Sequence, residues 1–281
     1  MLEPVLDLRA LRPGARFAAA TCVLDDAFVD AYLAATGEAH PAYAEGGVPP
    51  LALSLVRFTK ASLGGRWPSG TLQLGQTFRS LRVPRRGERL ELDLAVGAVE
   101  ECDGRLRFER LSAARAAGGA LVAEQRMTQL WAGAGPRTRD REPRPVASTD
   151  TTPAQAAPAP PIGPLEDRYP MARLQAYGEV AGARDPIHLD PAFARDTPLG
   201  VNIVQGKLIM TLIWRLLLAH VGPRWNEGGA LDIRFRRPLP VDTPVAAWAQ
   251  ADAGDGTAYS VWCSDAAGER VIVGSAEAPA P

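Results

Sequence analysis

What this chain is short of narrows its chemistry first. Lysine is nearly missing: Lys60 and Lys207 are the only two, and the other basic side chains are arginines. At a net charge of −1, no general electrostatic case exists for a nucleic acid or a membrane surface as partner. The three cysteines, Cys22, Cys102 and Cys263, stand far apart with no CxxC and no histidine at ligand spacing. Neither a metal site nor a disulfide framework is therefore expected, and such thiols fit a reducing compartment. The longest apolar run extends only from Leu208 to Val221 and contains Arg215, short of the about 20 residues that span a bilayer. The N-terminus carries Glu3, Asp7 and Arg9 with no apolar signal-peptide core. These absences together point to a cytoplasmic protein.

What is present is an ordinary globular composition over 281 residues, 46% hydrophobic and 22% charged, enough for one large domain or two. Asp25-Asp26 can cap a helix carrying Phe28, Tyr32 and Leu33, with Gly37 as its stop. Leu51, Leu55 and Phe58 then recur at helical spacing in a segment reaching Leu63. From about residue 71 the period becomes two, most clearly at Leu90, Leu92, Leu94 and Val96, which alternate with Glu91 and Asp93. Asp103-Gly104 predicts a hairpin into Leu106–Leu111, and Leu121–Trp131 reads as a further strand. Residues 134–164 lose all periodicity and fill with proline, which predicts an extended linker.

The second half repeats the plan. Met171, Leu174, Tyr177 and Val180 predict a helix ended by Gly182, and the run from Gly206 to about His220 is apolar enough to be buried on nearly every side. Strands are expected at 231–237, 245–251, 258–263 and 271–276. Thr36-Gly-Glu-Ala-His-Pro-Ala-Tyr43 answers Ala181-Gly-Ala-Arg-Asp-Pro-Ile-His188, and Thr77-Phe-Arg79 answers Arg234-Phe-Arg236. The ordered matches predict a tandem duplication, with residues 1–133 and 165–281 each wrapping a curved antiparallel sheet around one helix. Joining the two sheets would cover their edges.

The chemistry gathers in one loop. Gly182-x-x-Asp185-Pro-Ile-His188-x-Asp190-Pro-x-Phe-Ala194, then Val204-Gln-Gly206-Lys-Leu, then Ile233-Arg-Phe-Arg-Arg-Pro-Leu-Pro-Val241, resembles the MaoC-like (R)-specific enoyl-CoA hydratase/dehydratase family. The resemblance covers the C-terminal half well and the N-terminal half in outline. It implies an α+β double hotdog, in which the second half keeps the catalytic loop and the first has decayed to shape the acyl pocket. It further implies a lyase that adds or removes water at the 2,3 double bond of a CoA or carrier-protein thioester. No cofactor is implied beyond the coenzyme A of the substrate; a homodimer is admitted as an assembly.

On that resemblance His188 is the acid–base residue, and the backbone N–H of Gly206, at the positive end of the apolar helix, is the donor to the thioester oxygen. Ala183 holds the position the family gives to its acid, and Asp185 stands where the family has Asn. Asp185 is expected to take over as the carboxylate partner, although a residue before proline serves equally as a turn and cap. Asp190 reads as the cap of a short helix. Arg236 and Arg237 are candidates for the phosphates of coenzyme A, against the plainer reading of a solvated edge. Trp67 and the Leu51–Phe58 segment are candidate pocket walls. Glu38 and His40 could form a second acid–base pair, but Pro50 has no N–H where one would be needed, so no second site is expected. A hotdog thioesterase and an inactive acyl-binding subunit are the alternatives. The first is disfavoured because residues 207–220 contain no acid, and the second is raised by Ala183.

Overall fold

The computed structural model describes residues 5–55, 58, 63, 68, 70–131, 133, 160–252 and 256–280. The first half supplies β1 (Ala20–Val23), β2 (Thr71–Ser80), β3 (Arg89–Cys102), β4 (Arg105–Ala116) and β5 (Leu121–Trp131). The second supplies β6 (Ile162–Arg168), β7 (Ala230–Phe235), β8 (Pro244–Ala251), β9 (Ala258–Asp265) and β10 (Arg270–Glu277). They form one 10-stranded antiparallel sheet in the order β1-β3-β4-β5-β2-β7-β10-β9-β8-β6. Read from either edge inward, the halves have the same strand sequence, as the duplication predicts. They meet where β2 pairs with β7, from Gly75 opposite Arg234 to Arg79 opposite Ala230.

The local signals act as expected. Asp103 and Gly104 both take positive φ, 52° and 70°, which lets a two-residue turn follow the strand twist between β3 and β4. The β6 strand was not expected, because Pro161 and Pro164 make this stretch read as linker. Among the described residues it is an edge strand, paired with β8 alone and with an irregularity between Ile162 and Leu165, the setting in which proline is tolerated. The rest of the predicted linker, 134–159, lies outside the described residues, as does Trp67.

The helices are α1 (Asp26–Thr36), α2 (Pro41–Ala44), α3 (Met171–Ala181), α4 (Pro186–Leu189), α5 (Pro191–Arg195), α6 (Gly206–Val221) and α7 (Trp225–Gly228). Asp25 caps α1 by accepting from Phe28 N at 2.8 Å; Gly37 and Gly182 end α1 and α3 at φ 69° and 67°. In α6 every residue from Lys207 to Trp214 is buried, with Leu216, Leu217 and Leu218. Each fully buried leucine contributes roughly 1.5–3 kcal/mol, so this helix is a large part of the core of the C-terminal half. Leu51 to Ser54 belong not to an α-helix but to a 3-10 turn, Pro50–Ser54, as two successive prolines favour.

Polar side chains fasten one half to the other. Asn226 accepts from Trp214 Nε1 at 2.9 Å and donates to the Tyr43 hydroxyl at 3.0 Å, while Ser80 Oγ donates to the Asn226 carbonyl. At the end of α1, Arg173 donates to the carbonyls of Ala35 (2.8 Å) and Thr36 (2.7 Å), and Arg215 to Thr36 (3.2 Å). Asp167 of β6 accepts from both arginines, at 2.6 and 2.9 Å.

Candidate active site

His188 sits in the single turn of α4, opened by Pro186 and capped by Asp185, whose carboxylate accepts from Ile187 N at 3.3 Å. Its half-buried imidazole places Nδ1 2.8 Å from the Ile203 carbonyl. A carbonyl can only accept, so Nδ1 carries the hydrogen and Nε2 presents its lone pair. Burial lowers the pKa of the imidazole, opposed by the Ile203 carbonyl and the charge of Asp185. The ring is thus held neutral, in the tautomer a base requires.

The partner strand segment is clamped in turn. Asn202 Nδ2 (3.0 Å) and Ile203 N (3.3 Å) both donate to the Ile187 carbonyl. Val204 N donates to Leu239 O at 2.8 Å and Val241 N to Asn202 O at 2.9 Å. Gln205 then anchors its Nε2 on Leu174 O at 3.1 Å, and the next residue, Gly206, begins α6. No side chain caps this helix, and its first N–H groups have no partner within it. A single four-residue link therefore fixes the imidazole to the N-terminus of the most buried helix.

Gly206 has a reason of its own to lack a side chain. A Cβ there would lie 2.6 Å from the Phe235 ring, so the glycine lets β7 pack against the helix start. Gly206→Ala is expected to cost about 1–3 kcal/mol in urea unfolding through overpacking, with Phe235→Leu in the same chain restoring most of the loss.

Asp185 is exposed, and its carboxylate faces the backbone it caps; no hydrogen bond joins it to His188, which it influences through charge. Asp190 caps α5, accepting from Ala192 N (2.9 Å) and Phe193 N (3.2 Å). Arg236 is exposed, its backbone N–H donating to Val271 O at 2.9 Å; Arg237 is exposed and pairs with Glu269. His220, at the far end of α6, packs edge-on against Tyr259.

In the first half His40 caps α2 through Nδ1, accepting from Ala42 N at 3.3 Å, so it is not aimed at Glu38. Glu38 is 5% exposed, and neither carboxylate oxygen meets hydrogen-bond geometry. Burial pushes its pKa up to about 8, against the attraction of Arg215 and the nearby hydroxyls of Tyr43 and Tyr32. Sequence reasoning missed Asn202, the Ile203 carbonyl and the depth of Lys207. Backbone partners leave no signal in a sequence, but a lysine inside an apolar run does.

The sequence matches no family model and no curated protein. Solved structures do match, over nearly the whole chain. A MaoC-like dehydratase superposes with a TM-score of 0.73 at 15% identity, covering 98% of this chain and 100% of that one. A MaoC-like dehydratase from Phytophthora capsici gives 0.72 at 17% identity, covering 96% of each chain. A Mycobacterium tuberculosis protein with a double hotdog fold gives 0.59 at 16%, covering 96% of this chain and 97% of that one. This chain is a double hotdog. The C-terminal hotdog holds α6 and the His188 loop; the N-terminal hotdog reaches α6 through the Ser54 carbonyl, which accepts from Lys207, and through Phe78 of β2, whose ring lies edge-on to Trp214. At these identities the likeness gives the fold, and the chemistry has to come from the side chains. Among the described residues, no helix is long and apolar enough to cross a membrane and no group of three His, Cys, Asp or Glu could hold a metal ion.

Proposed function

We propose that the protein is a hydratase/dehydratase acting at the 2,3 double bond of an acyl thioester, a 2-enoyl-CoA, giving the (R)-3-hydroxyacyl product. The observation that carries this reading is the neutral His188, its Nδ1–H locked on Ile203 O, tied through residues 203–206 to an uncapped helix N-terminus. Resemblance to MaoC-like dehydratases in fold and in the Asp185–Asp190 motif supports it.

The steps follow from these groups. The thioester oxygen accepts from the Gly206 N–H, where the α6 dipole favours developing negative charge. Nε2 of His188 takes a proton from water as its oxygen bonds to C3, and the π electrons move onto C2 and the thioester oxygen. The imidazolium, balanced by Asp185, then returns a proton to C2. The sum is one water added, and the reverse path is dehydration. These steps call on no metal or redox group; coenzyme A enters as part of the substrate, with the exposed Arg236 as the candidate phosphate contact.

Incubation with crotonyl-CoA tests the reading: absorbance of the conjugated thioester falls without release of free thiol. Free thiol would indicate a thioesterase, and loss of neither would leave an acyl-binding protein. Asp185→Asn keeps a side chain that caps equally well, so it removes charge alone. We expect it to lower kcat about tenfold with unchanged stability; full retained activity would exclude Asp185 from the mechanism. The oxyanion donor is tested by Gly206→Pro in a Phe235→Ala background. Proline suits the first helical position, and Gln205 already has the extended backbone (ψ 125°) that a following proline needs. The lost N–H should reduce kcat by about 10²–10³-fold relative to Phe235→Ala alone.

A further inference from the structure

The start of α6 carries a side chain that its surroundings disfavour. Lys207 is the second residue of the helix, and it is 7% exposed at the head of the chain's most apolar run. Its ammonium donates to the carbonyl of Ser54, the last residue of the 3-10 turn in the N-terminal hotdog. Ser54 is buried as well, so the contact is out of water at both ends. Among the described residues no carboxylate lies within ion-pair distance of Lys207. The segment that brings Ser54 offers none, because the sequence from Gly46 to Gly87 has no acidic residue.

Three influences act against a cation here. Burial lowers the pKa of the amine, and the charge of buried Arg110 on β4 adds to the effect. The position is also the positive end of α6, where the helix dipole favours anions and repels cations. A tie between the two hotdogs needs only a hydrogen-bond donor, which a neutral amide would supply without burying a charge. A charge kept in a dry site is, in contrast, what electrostatic catalysis requires. It acts strongly there and needs no rearrangement when reaction charge appears.

Hydration generates the matching charge at the same place. As water adds at C3, the thioester oxygen on the Gly206 N–H turns negative. Side chains of an α-helix lean toward its N-terminus, so Lys207 leans to the end of α6 at which that oxygen sits. We propose that the Lys207 ammonium, fixed on the Ser54 carbonyl where the two hotdogs meet, stabilises the developing enolate by its charge, while the Gly206 N–H bonds to the enolate oxygen. The assignment rests on the hydratase reading for where the thioester lies. No proton leaves the lysine: His188 carries both transfers, and Lys207 stays bonded to Ser54 throughout. Its burial disfavours the free protein and is offset when the enolate forms.

Lys207→Met keeps the length of the side chain and removes the charge. For crotonyl-CoA it should lower kcat about tenfold or more, with KM within about twofold. Butyryl-CoA, which is saturated and develops no such charge, should bind both proteins equally in titration calorimetry. The Tm should rise, because a buried cation without a carboxylate has gone. A purely structural tie predicts the opposite pattern, a lower Tm with kcat and butyryl-CoA binding lost together, and that result overturns the assignment. Acetoacetyl-CoA gives a direct reading, since its enolate places negative charge on the thioester oxygen and absorbs where the keto form does not. The wild-type chain should hold a larger enolate fraction than free solution at the same pH, and Lys207→Met a smaller fraction than the wild type. An enolate fraction no larger on the wild-type chain than in solution sinks the assignment, whatever becomes of the variant. Hydration of crotonyl-CoA that Lys207→Met leaves unchanged would do the same while the hydratase stands. Lys207-dependent enolate binding without hydration of any 2-enoyl-CoA would remove the hydratase and keep the charge assignment.

Discussion

Replacing His188 by asparagine lowers kcat for 2-enoyl-CoA hydration by about 10²–10⁴-fold, with little change in KM. Asparagine is the informative choice because its Nδ2 occupies the place of Nδ1 and still donates to Ile203 O. The link to the helix N-terminus survives, and only the lone pair of Nε2 disappears. Stability by urea unfolding should stay within about 0.5 kcal/mol of the parent, since the imidazole is half-buried and its hydrogen bond to Ile203 O is kept. The wild-type pH profile carries the same information. Burial lowers the pKa of His188, so the neutral, basic form persists into more acidic solution than for a free imidazole. The acid limb of kcat/KM should therefore fall below about pH 6.5, the ordinary histidine value. An Asn variant with full activity would leave the double hotdog without its base and would return the chain to the acyl-binding alternative.

How much of this was legible beforehand depends on which interactions leave marks in sequence. The alternation over Leu90–Val96, the Asp103-Gly104 turn, the glycine stops at Gly37 and Gly182 and the apolar run of α6 are local, and each placed its element. The repeated Gly–x–x–x–Pro stretches gave the duplication, and with it the mirrored strand order. The β6 strand was hidden because prolines that would break a central strand are harmless at an edge, and edge position is a property of the whole sheet. The reason for Gly206 was half visible. Its place at the helix start is a sequence signal, whereas the Phe235 ring that excludes a Cβ comes from a strand known only once folded. Asp185 shows the opposite limit: the residue that looks most like a replacement acid spends its oxygen on capping Ile187. Arg110 could have been noticed. In β4 it follows Leu106 and Phe108 on the inward register, where an apolar residue is the rule.

The largest stability effect belongs to Glu38, buried behind the N-terminal loop at the end of α1. Its folded pKa, about 8, lies above the ordinary 4.5 because burial penalises the carboxylate. Between those values the native state holds a proton that the unfolded chain releases, so stability falls as pH rises through that window. The contribution is fully present below about pH 4.5 and lost above about pH 8. The span of roughly 3.5 pH units corresponds to an order of 5 kcal/mol. Glu38→Gln removes the titration, since an amide is neutral throughout. We expect its unfolding free energy to be less dependent on pH than the parent's, and to exceed the parent's by a few kcal/mol above pH 8. The rival account is an ion pair with Arg215, which would make the same substitution destabilising at neutral pH. Geometry argues against that account, because Arg215 Nη1 is already held by Asp167 at 2.9 Å and Thr36 O at 3.2 Å. Urea unfolding of both proteins at pH 5, 7 and 9 decides between them. A parent whose stability does not decline from pH 5 to 9 relative to the variant would show that Glu38 is ionised in the fold.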